Sequence, residues 1–317
     1  MVPINMTTDR CRTFANSFGC RLESLPFTYL GLPMGTTKPS VSDLTPLISK
    51  IDKRLAGISN LLSHYSRVVV IKSVISAMPN HIMCAMKLHY THIDHVNKST
   101  RTFLWHGNEI EKKVNVWLSG TRFAFPKKEG GLGILNLRQH NKAMMIKNLY
   151  KFFICLDIPW VKLIWQAYYQ NGSLQDCNTH KGSFWWRNCL SFLSDFKNMT
   201  TTVPGQGNNT MFWQDKWHDT ELCNKFPELF SFAKKPKIRT KEAMQYQIAG
   251  ELLNLFQLPL SLIAENQMNS LCIILQNSNV PGKDKWTFPW GGDRFCTKKV
   301  YDILIKAPNA PKPFEWI

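Results

Sequence analysis

Apolar residues recur at three- and four-residue steps through most of the first half of the chain. Leu44, Leu47, Ile48, Ile51, Leu55 and Ile58 form one such stripe and predict a helix within 39–62, with Ser42 or Asp43 as its cap. A second helix is predicted from about Ser66, through an apolar run that Pro79 must break or kink. Further helices are predicted over 80–88 and 92–105, the last with Ile93, Val96, Phe103 and Leu104 inward. Before these, Phe14 to Phe18 reads as a helix end with Gly19 as its C-cap. Residues 25–35 read as a short strand running into a turn. Residues 114–118 alternate, and Asn136 is positioned to cap a helix carrying Ala143, Ile146, Leu149, Phe152 and Phe153.

Beyond Asp157 the pattern becomes aromatic. Short helices are predicted over 159–169 and 183–196, and further ones near 251–256, 260–275 and 297–306. Residues 203–209 read as a loop, 210–217 as a strand ending in a turn, 234–241 as a basic, Pro-containing linker, and 285–290 as extended. Together these predict a predominantly helical α+β chain. Trp185-Trp186-Arg187 has two readings, a base-stacking platform and plain core. Aromatics at helical spacing favour core.

Between the halves lies Pro126-Lys-Lys-Glu-Gly-Gly-Leu-Gly133. Gly130, Gly131 and Gly133 allow a tight turn with positive φ. Lys127 and Lys128 set two cations beside the backbone N–H groups of that turn. The stretch reads either as a surface turn with solvated lysines or as a turn that holds a phosphate.

Charge changes the picture most. The 317-residue chain carries a formal net charge of +17. Residues 1–155 hold 21 Lys and Arg against 8 Asp and Glu, whereas 156–317 hold 18 against 14. A basic half of this size favours a polyanion, of which nucleic acid is the commonest. No run of 18 apolar residues is present, so no membrane association is expected. The N-terminus lacks a charged region followed by an apolar one, which predicts an intracellular protein, nuclear or cytoplasmic. Nine scattered cysteines without Cys-x-x-Cys spacing read as reduced thiols, not as a zinc site.

Catalytic chemistry is hard to assemble from this chain. Two-metal chemistry needs carboxylates converging on paired cations. The acidic residues here are dispersed, and Asp215 reads as a turn or cap residue. His92 and His95 stand at a metal-compatible spacing, but no His-Glu-x-x-His supports them, and solvated helix histidines explain them better. There is no Gly-x-Ser-x-Gly elbow and no phosphate-binding Walker loop.

Several strings in fixed order carry a resemblance. Ser24-Leu-Pro-Phe-Thr-Tyr-Leu-Gly-Leu-Pro-Met-Gly35, the run from Leu62 to Pro79, Phe103-Leu-Trp105, residues 126–137 and Asn141-Lys-Ala143 resemble the post-palm and thumb-like segments of plant non-LTR (LINE-type) retrotransposon reverse transcriptases. Gly205-Gln-Gly-Asn-Asn-Thr-Met-Phe-Trp-Gln-Asp-Lys-Trp217 is similar to that family's connecting region. Residues 295–304 with Trp316 resemble the opening of its zinc-binding-type domain.

The resemblance implies four pieces: a remnant of the palm over 1–38, a thumb-like basic helical domain over 39–156, a connection over 157–282 and a truncated zinc-binding-type domain over 283–317. It implies no catalytic residue, metal ligand or cofactor here, because the family's paired aspartates would lie upstream and its Cys/His ligands downstream. The parent polymerase would use Mg. The implied role is to hold RNA or an RNA–DNA hybrid by its backbone, without sequence preference, beside the missing palm and fingers. Lys50, Lys53, Arg54, Arg67, Lys72, Lys127 and Lys128 would make the contacts, and the three glycines would set the turn. Two other readings stand beside this one: a degenerate transposon-derived reading frame without activity, and a protein-interaction module built on the aromatic second half.

Overall fold

The computed structural model describes residues 2, 6–58, 62–107, 124–169, 182–205, 207–276 and 282–305. The predicted alternation over 114–118 lies outside the described residues. The fold is predominantly helical, with two small antiparallel sheets of two strands each. The chain forms two compact units: the described residues within 1–144 and 301–317, and those within 145–300.

The first unit opens with α1 (Thr8–Ser17). Its end is closed as its sequence predicts: Gly19 takes φ 60°, and Cys20 N–H donates to Ala15 O. Residues 25–35 form more than a strand and a turn. They make a hairpin of β1 (Phe27–Tyr29) and β2 (Leu32–Met34), with Tyr29 opposite Leu32. Its two-residue turn holds Leu30 at φ 49° and Gly31 at φ 79°.

The helical stripe within 39–62 condenses to a single 3₁₀ turn and α2 (Thr45–Ala56). Asp43 reaches back to accept Ser40 N–H at 2.7 Å. Gly57 and Ile58 then close the end on Lys53 and Leu55, so the helix stops short of the predicted span. Next comes α3 (His64–Ser73), capped by the Ser63 hydroxyl, which accepts Ser66 N–H. A 3₁₀ turn and Pro79 separate it from α4 (Asn80–Ala85) and α5 (Tyr90–His106). Ile51, Ile71, Ile75, Met83, Phe103, Leu104 and Leu137 meet in the core. The Asp52 carboxylate on α2 accepts from Ser99 at 3.2 Å and lies 2.9 Å from His95 Nε2, fixing α2 against α5.

Helix α6 (Leu137–Phe153) begins where Asn136 caps it, the Oδ1 accepting Gln139 N–H at 3.2 Å. Its last turns enter the aromatic core of the second unit. Phe152 stacks on Trp165, with ring centroids 4.5 Å apart, and Phe153 packs on Phe196 and Trp286. Cys155 closes α6 in the left-handed region at φ 49°.

The second unit continues through α7 (Pro159–Tyr168), α8 (Phe184–Leu190), α9 (Leu193–Asn198) and β3 (Thr201–Val203). Short α10 (Leu222–Lys225) and α11 (Pro227–Ser231) precede α12 (Thr240–Ile248) and α13 (Leu262–Gln276). It ends with β4 (Lys285–Thr287), paired to β3, and α14 (Thr297–Leu304), which runs on into the first unit.

Two expectations fail here. Residues 210–217 are not a strand: only Met211 bridges, to Arg239, and the chain then turns. Asp215 causes the turn, since its carboxylate accepts Met211 N–H at 2.7 Å while its own N–H donates to Met211 O. Residues 234–241 are not a free linker. Ile238 is buried with Phe212 and Trp213, and its carbonyl accepts Phe212 N–H.

Candidate nucleic-acid interface

Lys50, Lys53 and Arg54 are exposed on α2. Their spacing of three and four residues places them on one face, opposite buried Ile51 and Leu55. Arg67 is half-buried, and its guanidinium donates to Leu104 O at 3.4 Å, so part of its capacity ties α3 to α5. These four cations therefore differ in role, three facing water and one bracing the core.

Lys72, near the end of α3, meets the Gly-rich turn. Its Nζ stands 3.4 Å from where a β-carbon on Gly133 would lie. Burial lowers its pKa first, and the Lys127 ammonium lowers it further. Lys127 is exposed in a 3₁₀ turn (Lys127–Glu129); the side chain of Lys128 lies outside the described residues.

Gly130 and Gly133 carry positive φ, at 74° and 63°. Gly131 does not share that conformation. The turn uses its own donors: the N–H groups of Glu129 and Gly131 donate to Pro126 O, that of Gly130 to Lys127 O and that of Gly133 to Phe125 O. These four amides are therefore already engaged within the turn. Beside the turn lies an open cleft of about 390 Å³, lined by Lys72, Ser76, Asn80, Gly133, Tyr301 and Asp302 among others.

A second basic group was missed. Lys87, exposed in the loop between α4 and α5, has its pKa lowered by partial desolvation and then by Lys38, Arg138 and Lys142. The one available signal was the four-residue spacing of Arg138 and Lys142 on a helix-patterned segment.

The remaining candidates are structural. Trp186 is fully buried and donates from its indole N–H to Tyr169 Oη at 3.1 Å, which makes it core. His92 is buried, while His95 Nε2 lies 2.9 Å from the Asp52 carboxylate. Among the described residues no three of His, Cys, Asp and Glu gather as metal ligands would.

Among the described residues, Asp215 and Asp284 are engaged by the protein's own donors. Asp215 is buried, with Lys197 at 2.7 Å and Met211 N–H on its other oxygen. Asp284 accepts N–H groups from Gly205 at 2.9 Å, Gly207 at 2.7 Å and Asn209 at 2.8 Å, and the Thr210 hydroxyl at 3.1 Å. Asp284 is thus filled by four of the protein's own donors, whereas Asp215 is held by one ammonium and one backbone N–H. The amides of Gly205, Gly207 and Asn209 thus form an anion nest whose anion is Asp284.

No helix among the described residues is long and apolar enough to cross a membrane. No family model matches the chain. Two Arabidopsis thaliana proteins are similar to it. "Putative ribonuclease H protein At1g65750" is 30% identical over 177 residues, covering 54% of this chain and 28% of that protein. "Uncharacterized mitochondrial protein AtMg00310" is 22% identical over 143 residues, covering 44% of this chain and 92% of that protein. The chain thus has relatives among plant proteins and matches little more than a quarter of the longer one.

Proposed function

We propose that the chain is a non-catalytic portion of a plant retroelement polypeptide of the non-LTR reverse transcriptase type, and that its first unit holds nucleic acid by the sugar–phosphate backbone. The carrying observation is that folding sets Lys72 against the Gly133 turn that carries Lys127, and holds the Lys87 loop against the helix of Arg138 and Lys142; desolvation first, and these neighbouring cations second, lower the pKa of Lys72 and Lys87. Such clustering costs free energy in the isolated protein, and a polyanion offsets it. The collinear motifs and the similarity to two plant proteins, one of them named for ribonuclease H, support a retroelement origin. Lys50, Lys53 and Arg54 add a water-facing row on α2. Contacts of this kind position a backbone and carry no base information.

Fluorescence anisotropy with a labelled RNA, and with an RNA–DNA hybrid, tests the reading. If seven phosphates are neutralised, log K against log salt slopes by roughly −5 to −6. Lys72→Glu with Lys127→Glu weakens binding to all sequences alike. Binding that stays flat between low and moderate salt, or loss confined to one sequence, overturns the proposal.

A further inference from the structure

Asn141 is buried on α6 and commits its whole amide to α4 and the loop that follows it. Its Oδ1 accepts Leu88 N–H at 2.9 Å, and its Nδ2 donates to Met83 O and Met86 O, each at 2.9 Å. Lys87 stands between Met86 and Leu88, so its backbone is stapled to this turn of α6. Arg138 and Lys142 flank Asn141 in sequence and lie four residues apart, hence on adjoining turns of one helical face. Lys87, Arg138 and Lys38 are exposed, and Lys142 is half-buried.

Solvated lysines on a mobile loop lower their repulsion by moving apart. Here Asn141 holds Met86 and Leu88, on either side of Lys87, against α6, and Lys38, Arg138 and Lys142 add to the desolvation that lowers the Lys87 pKa. Arg138 supplies a planar fork suited to two phosphate oxygens, and the lysines supply point charge.

We propose that Lys87, Arg138 and Lys142 form a preassembled phosphate site that takes one segment of a nucleic-acid backbone. The identity of the occupant rests on the function proposed above; the site itself rests on the Asn141 staple and the helical spacing.

The test uses the full chain and two double variants, Lys87→Ala/Arg138→Ala and Lys53→Glu/Arg54→Glu, with a labelled RNA titrated at several salt concentrations. The first variant is expected to reduce the salt slope by about 1.5, the share of two phosphate contacts. An unchanged slope and affinity in that variant, while the α2 variant weakens binding, overturns the site and leaves the proposed function standing. If the wild-type chain shows no salt-dependent binding, the proposed function falls, and inorganic phosphate decides the site. A Tm raised by phosphate above matched ionic strength in chloride, in wild type and not in Lys87→Ala/Arg138→Ala, keeps it as a free-phosphate site. An equal rise in both, or none in either, overturns it.

Discussion

The carboxylate of Asp284 accepts the backbone N–H of Gly207 at 2.7 Å across 77 positions of sequence. Gly207 sits at φ 67°, and a β-carbon there would lie 2.5 Å from Lys241 N. A β-carbon on Gly205 would lie 2.2 Å from Gly282 O. The glycines thus let the chain wrap the carboxylate closely. Asp284→Ala strands three amide donors and is expected to destabilise the second unit by about 3 kcal/mol or more, given charge-assisted bonds of this number. Gly207→Ala is expected to cost about 2–4 kcal/mol through strain and clash. Urea unfolding of both variants checks this, and near-wild-type midpoints would refute the nest.

Lys197 and Asp215 form an ion pair at 2.7 Å, with the Asp215 side chain 1% exposed. Removing one partner of such a pair leaves a buried charge. Lys197→Ala is therefore expected to cost about 3–5 kcal/mol. The double variant Lys197→Met/Asp215→Asn is expected to recover part of that loss. A single variant as stable as wild type in chemical denaturation contradicts the assignment.

Burial lowers the pKa of both His92 and His140 below the ordinary histidine value. The unfolded chain, titrating near the ordinary value of about 6.5, then binds protons that the folded chain refuses. Stability is accordingly full above that value and declines as pH falls through it. Unfolding midpoints at pH 7.5 and 5.5 should differ in that direction. His92→Gln/His140→Gln should flatten the difference, and an undiminished difference would mean that other groups drive it.

Leu30 occupies a left-handed position in the β1–β2 turn while 73% exposed. It bears a conformational cost of about 1–2 kcal/mol with little burial in return. Leu30→Asn, a residue suited to that turn, is expected to raise the Tm of the first unit. A lower Tm would show that the leucine side chain contributes packing that outweighs its backbone.

Much of the helical frame was legible because local chemistry set it. Gly19 and Asn136 terminate or start helices through contacts within five residues, and the stripe from Leu44 to Ile58 points inward. The failures were non-local. The aromatic run at 210–217 looks β-prone, but Asp215 bends it, and Phe212, Trp213 and Trp217 are buried together. Ile238 gave the basic stretch around it an anchor that composition hides. In the candidate site, the row on α2 followed from helical spacing. The Lys87 group depended on a buried asparagine far along the chain, and no spacing rule connects Lys38 or Lys87 to Arg138.

The donors of the loop 205–210 precede their acceptor, Asp284, by 74–79 residues. A ribosome adding roughly 5–20 residues per second delivers that carboxylate about 4–15 s after the loop itself. Trp286 follows two residues later, and Tyr301, whose hydroxyl accepts Asn136 N–H at 2.8 Å in the first unit, arrives later still. The nascent chain therefore carries both units unfinished until residues 284–301 emerge, so a stop codon ahead of position 284 would leave each without these contacts.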